Sequence, residues 1–144
     1  MPVADEPRAR LARRLAGAGV ALAAASPLVI GAMLAPDGAG HGTHTQLGLP
    51  ACGWVAAFDR PCPTCGMTTA FAHAARGDLL EAFTSQPMGL LLALGAAGVF
   101  WGGVHTLATG VRLGGLVSRL LSARALWAAA GIAGLAWAYK LATW

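Results

Sequence analysis

Apolar and polar positions along this chain sort into three long uncharged runs separated by polar segments. The first run is Leu15 to Pro36, and the second lies inside Ala82 to Val111 with its core at Met88 to Thr109. The third is Ala125 to Tyr139, continued past Lys140 to Trp144. A helix needs roughly 20 apolar residues to cross ~30 Å of hydrocarbon. The first two runs meet that length directly, and the third meets it once Lys140, near its end, snorkels outward. Trp127, Trp137, Tyr139 and Trp144 suit the interfaces at its two ends. The pattern predicts transmembrane helices over 15–36, 88–109 and 125–144, joined by a loop over 37–87 and a basic segment over 110–124.

The loop has a pattern of its own. Residues 35–50 are rich in Gly, Pro, Thr and His and read as irregular chain. Pro63 suits the first position of a helix with Cys62 at its N-cap, and Gly77 suits its end. Asp78 and Glu81 are spaced as a capping box for a second short helix, Leu79 to Thr84, and Pro87 suits the start of the next span. The expected fold is therefore an all-α integral membrane protein of three transmembrane helices, with a short helical hairpin at the cysteine motif. Within the basic segment, Leu113, Leu116, Val117, Leu120 and Leu121 recur at helical spacing between arginines. That spacing fits either an amphipathic helix on an anionic leaflet or an early start to the third span. Gly98 and Gly102 form a small-xxx-small pair suited to close helix packing.

Composition agrees with a bilayer. The chain is 56% hydrophobic and 11% charged, with mean hydropathy +0.60, where soluble domains carry about 25% charge. Net charge is +4, but the cations cluster at the ends of apolar runs, where lipid headgroups meet them, so a nucleic-acid partner is excluded. Arg8, Arg10, Arg13 and Arg14 precede the first run, and Arg112, Arg119 and Arg124 lie between the second and third. The 37–87 loop instead holds Asp37, Asp59, Asp78 and Glu81 beside Arg60 and Arg76. The positive-inside rule places residues 1–14 and 110–124 in the cytoplasm and the cysteine loop outside, on a bacterial plasma membrane. Basic residues before an apolar run also resemble a signal peptide, but this run exceeds the usual h-region of ~7–15 residues.

Candidate chemistry concentrates in Cys62-Pro63-Thr64-Cys65-Gly66, with Cys52 upstream. Two thiols at this spacing can cycle through a disulfide. A helix N-terminus at Cys62 would lower its pKa and make it the attacking sulfur, with Cys65 resolving. No βαβ pattern of the thioredoxin kind surrounds the pair. Cys-Pro-x-Cys-Gly also resembles the metal knuckle of zinc ribbons and rubredoxins. On that reading zinc or iron is held by Cys62, Cys65 and Cys52, with His73, His41 or His44 as a fourth ligand. A homodimer pooling two knuckles is another route to four thiolates. A purely structural role, in a membrane component that assembles with copies of itself or with other membrane proteins, is the third reading. His105 is an ionisable group within the second run and so a candidate site. The chain contains no Ser-His-Asp set, phosphate loop or paired catalytic carboxylates.

The stretch from Cys52 to about Trp101 resembles a bacterial membrane family, the domain of unknown function numbered 2752. The residues that carry the resemblance are Cys62-Pro63-Thr64-Cys65-Gly66-Met67-Thr68, the Gly77-Asp78 step, and Gln86-Pro87 before a span. The family often has Arg after the motif's Thr, whereas this chain has Thr69. The resemblance implies a membrane setting and no particular activity.

Overall fold

The computed structural model describes residues 7–111 and 122–144, and within them every regular element is helical. The elements are α1 (Pro7–Met33), a single 3-10 turn (Thr43–Leu47), α2 (Gly53–Phe58), α3 (Met67–Arg76), α4 (Leu79–Ser85), α5 (Pro87–Thr109) and α6 (Ala123–Ala142). Three of them, α1, α5 and α6, are long and apolar enough to cross a membrane. Their large side chains point away from the protein, with Leu22, Trp127 and Leu135 each more than 70% exposed. A helix apolar on its outward side needs a lipid solvent, and the chain is consistent with a multi-pass membrane protein.

α1 and α5 run antiparallel and meet backbone to backbone. A Cβ on Gly103 would lie 2.7 Å from the Ala21 nitrogen and 2.9 Å from the Gly17 oxygen; one on Gly17 would meet Leu107 N and Gly103 O as closely. Bare glycines let two helices approach where lipid supplies no hydrophobic drive. Gly98, half of the pair expected from the sequence, has open space where its Cβ would be. The contact was displaced to Gly103 because helix facing, not spacing alone, decides which glycine meets a neighbour.

α1 extends through the arginines that precede the first apolar run, and they cap its partner. Arg13 Nε donates to Gly110 O at 2.8 Å. Arg14 donates to Leu107 O at 2.7 Å and Ala108 O at 3.0 Å, and Arg10 to Thr109 O at 3.4 Å. These are the last carbonyls of α5, which have no intrahelical donor and carry the negative end of its dipole. Within α1, Pro27 cannot donate to Ala23 O, and the Ser26 hydroxyl takes that carbonyl at 2.9 Å. The basic segment at 112–121, with its expected amphipathic helix, lies outside the described residues.

At the opposite end of the α1–α5 pair, α3 is wedged between the two long helices. Gly31 of α1 lies against the Phe71 backbone, and Gly89 of α5 leaves room for Ala70. Ala70 and Ala72 are fully buried as a result. Gly77, at φ 86°, ends α3 and turns the chain into α4, completing the short helical hairpin. The expected capping box does not form: no side chain caps α4, and Asp78 instead places a carboxylate oxygen 3.7 Å from His73 Nδ1.

Candidate metal and thiol site

The cysteine motif is a turn before a helix, not the first turn of one. Cys65 N–H donates to Cys62 O at 3.0 Å and Met67 N–H to Thr64 O at 3.1 Å. Gly66 then takes φ 87° and serves as the N-cap of α3. The expectation that Cys62 caps the helix is corrected here. Four more residues of chain intervene between Cys62 and the first helical residue because Gly66 adopts the left-handed conformation, which resets the chain direction. Gly66 has no room for a side chain: a Cβ there would lie 2.6 Å from Ser85 O and 2.8 Å from Gly40 O.

Two long-range hydrogen bonds hold the turn by its carbonyls, and a third holds the neighbouring Gly40. Gln86, fully buried, donates from Nε2 to Pro63 O at 3.0 Å. Trp137 of α6 donates from Nε1 to Pro61 O at 3.1 Å. Lys140, also buried, donates to Gly40 O at 3.4 Å, the same carbonyl that abuts Gly66. Behind the turn, Thr69 is fully buried with its hydroxyl 2.8 Å from that of Thr43, and Thr43 Oγ1 accepts from Asp37 N–H at 3.0 Å. The position where an arginine is common in the resembling family is here part of an internal hydroxyl pair.

Cys52 joins the two motif cysteines. It stands at the N-cap of α2, and that helix turns its sulfur to 3.7 Å from Cys62 Sγ and 3.8 Å from Cys65 Sγ. Cys62 and Cys65 sulfurs are 2.9 Å apart, and all three thiols are free. Backbone N–H groups point at the sulfurs as well as at oxygens: Cys62 N–H donates to Cys65 Sγ at 3.1 Å. The Thr64 N–H bonds Cys62 Sγ, and the Thr64 hydroxyl is 3.3 Å from it.

The two motif thiols are made chemically unlike. Burial works to raise the Cys62 pKa, but hydrogen bonds from the Cys65 thiol, the Thr64 hydroxyl and N–H, and the Cys52 thiol outweigh it, and the net shift is downward. Burial, followed by the hydrogen bond to Cys62, pushes Cys65 up to about 12. Cys62 is therefore the more acidic thiol of the pair. The reason is local donors and not the helix N-terminus expected from the sequence.

All three cysteines open on one cavity of about 510 Å³, also lined by His41, His44, Ala51, Val55, Ala56 and Met67. His44 Nε2 is engaged with Pro50 O at 3.2 Å, and the His41 ring stacks on Trp144 at 4.6 Å between centroids. His73 lies elsewhere, beside Asp78 and in a second, polar cavity of about 400 Å³ shared with Lys140 and Tyr139. His105 is exposed on α5, apart from both cavities. Among the described residues, the metal-ligating atoms that converge are those of Cys52, Cys62 and Cys65. Gln86, Trp137 and Lys140 were the residues that sequence reasoning missed as parts of this site. The Gln-Pro step and a lysine inside an apolar run were the signals for two of them.

No curated protein and no solved structure is detectably similar to this chain. Residues 50–100, which contain the three cysteines, the α3–α4 hairpin and the first half of α5, match the family described as "Protein of unknown function (DUF2752)".

Proposed function

We propose that this chain is a membrane protein that binds a thiophilic divalent metal ion, zinc in the first instance, through Cys52, Cys62 and Cys65. The carrying observation is the recruitment of Cys52, which a two-cysteine redox motif has no need of, to within 3.8 Å of both motif sulfurs. Sulfurs bound ~2.3 Å from a common tetrahedral ion stand ~3.8 Å apart. Two edges of the sulfur triangle already have that length, and binding opens the third. N–H groups aimed at Cys62 and Cys65 sulfurs stabilise the thiolates that such an ion requires. Rubredoxin-like iron calls for four thiolates, so zinc suits this donor set better. The arginine asymmetry of the sequence puts the site on the outer face of a bacterial plasma membrane, with the N-terminus cytoplasmic.

A second reading rests on the short Cys62–Cys65 separation of 2.9 Å and the unequal acidities of the two thiols. In it, the Cys62 thiolate attacks a disulfide of a partner protein, Cys65 displaces the partner as a dithiol, and the pair is left oxidised. One experiment separates the two readings: metal analysis of anaerobically purified protein beside trapping of mixed disulfides. On the metal reading, wild type and His73→Ala carry stoichiometric zinc, and each of Cys52→Ser, Cys62→Ser and Cys65→Ser loses it. Metal-free wild type together with mixed disulfides accumulating only in Cys65→Ser would replace the metal reading with the redox one.

A further inference from the structure

His44 lines the same cavity of about 510 Å³ as the three cysteines, and its ring hydrogen bond fixes which nitrogen is available to a metal. The carbonyl of Pro50 can only accept, so His44 Nε2, 3.2 Å away, carries the proton. In a neutral imidazole the lone pair then sits on Nδ1, and no described residue donates a hydrogen bond to it. A metal-ligating histidine almost always donates its other ring N–H to a carboxylate, a backbone carbonyl or water, which sets the tautomer and aims the ring. Pro50 lies two residues before Cys52, so the carbonyl that holds the ring belongs to the segment that delivers a sulfur.

The backbone on either side of His44 is pinned. Thr43 is fully buried, with its hydroxyl 2.8 Å from that of Thr69, just behind the cysteine turn. Gln46 bonds Ala35 in both directions, donating to its oxygen at 2.7 Å and accepting from its N–H at 3.1 Å. The other histidines are less well placed. His41 also lines the cavity, but its ring is stacked on Trp144 at 4.6 Å between centroids. His73 lies in the second cavity and beside Asp78, and His105 lines neither cavity. The ring nitrogens of His44 stand outside the cluster of sulfurs that lie within 4.8 Å of one another. The fourth bond therefore needs the ring to swing toward the sulfurs, and residues 49–52, which carry no regular structure, let Pro50 follow it.

From these observations, and resting on the metal reading above, we infer that His44 Nδ1 is the fourth ligand, making a closed site of three sulfurs and one ring nitrogen whose ion is a structural cross-link. Four protein ligands leave no position for an exchangeable molecule, which is the pattern of structural zinc. The 3-10 turn at Thr43–Leu47, the start of α2 and the turn before α3 are then tied to one point. The thiol protons leave to solvent on binding, with no change in the oxidation state of metal or protein.

Cobalt(II)-substituted full-length protein in detergent, prepared anaerobically, tests this by its visible d–d and thiolate charge-transfer bands. Wild type is expected to show bands that added imidazole leaves in place, because no coordination position is open. His44→Ala is expected to bind cobalt at least tenfold more weakly and with shifted d–d bands. Imidazole, entering where the side chain was removed, should restore the wild-type spectrum. His41→Ala and His73→Ala should keep both spectrum and affinity. Wild-type bands that shift with imidazole, or a His44→Ala spectrum and affinity equal to wild type, overturn the His44 assignment and leave the metal reading standing. So does a loss seen in His41→Ala instead, or a weakened His44→Ala that imidazole does not restore, which marks a damaged fold and not a missing ligand. Failure of wild type to develop thiolate–cobalt bands at all overturns both the inference and the metal reading.

Discussion

The two ends of the α1–α5 pair use one device for different purposes. At the arginine end, Arg10, Arg13 and Arg14 donate to the last carbonyls of α5. At the cysteine end, Gln86, Trp137 and Lys140 donate to the carbonyls of Pro63, Pro61 and Gly40. In both places a long side chain satisfies a backbone oxygen that secondary structure leaves without a donor. At the first end the acceptors belong to a regular helix, and the bonds close it. At the second they belong to the irregular cysteine turn and to the Gly40 segment packed against it, and the bonds fix where the motif sulfurs point. The donors at the arginine end are charged groups next to a helix terminus, where any misplacement is absorbed by neighbouring carbonyls. At the cysteine end each carbonyl has its own donor, Gln86 before α5 for one and Trp137 and Lys140 of α6 for the other two, so the placement of the sulfurs depends on how α6 docks.

The sharpest way to break this contrast is Gly66→Ala. The substitution requires a left-handed alanine, worth about 1–2 kcal/mol, and brings a methyl group to 2.6 Å from Ser85 O. It is expected to abolish stoichiometric metal binding and lower the thermal midpoint in detergent, as read by metal analysis and a melting curve on the same sample. A second expectation concerns the metal-free thiols. A lowered Cys62 pKa means its alkylation rate levels off at a lower pH than that of an ordinary thiol. Cys65, at about 12, is only roughly one part in ten thousand thiolate at pH 8. Mass-spectrometric alkylation rates between pH 6 and 10 should therefore show Cys62 reaching a plateau while Cys65 stays slow and keeps rising. Equal rates would remove the asymmetry. The smallest effects come from deleting single donors. Trp137→Phe keeps an aromatic ring, though a smaller one, but frees Pro61 O, and should weaken metal binding several-fold at a stability cost of about 1 kcal/mol or more. Arg14→Gln should cost a similar ~1 kcal/mol and speed amide exchange at the end of α5, with metal binding unchanged.

The large-scale architecture was legible because apolar length is a direct consequence of bilayer thickness. Three uncharged runs became three helices long and apolar enough to span, and Gly77 did end a short helix. The details that failed were those where a local signal had competing uses. Pro63 after Cys62 fits a helix start, but it also fits a tight turn, and the left-handed Gly66 decided for the turn. Asp78 and Glu81 have capping-box spacing, yet Asp78 turned toward His73 across the hairpin. Cys52 was legible as a third ligand only as a possibility, since the α2 helix that swings it back has a weak pattern. Trp137 and Lys140 read naturally as interface anchors. Their contacts to Pro61 and Gly40 depend on how α6 docks, which no periodicity within α6 encodes.

That docking has a consequence for how the protein is made. The indole of Trp137 and the carbonyl of Pro61 are separated by 76 positions in the chain. At a synthesis rate of about 5–20 residues per second, roughly 4–15 s pass between the emergence of the cysteine turn and that of the helix that braces it. During that interval the three thiols are already synthesised but the turn lacks its last hydrogen-bond donors. On the proposed metal reading, the ion therefore meets a fully braced turn only after α6 has been inserted.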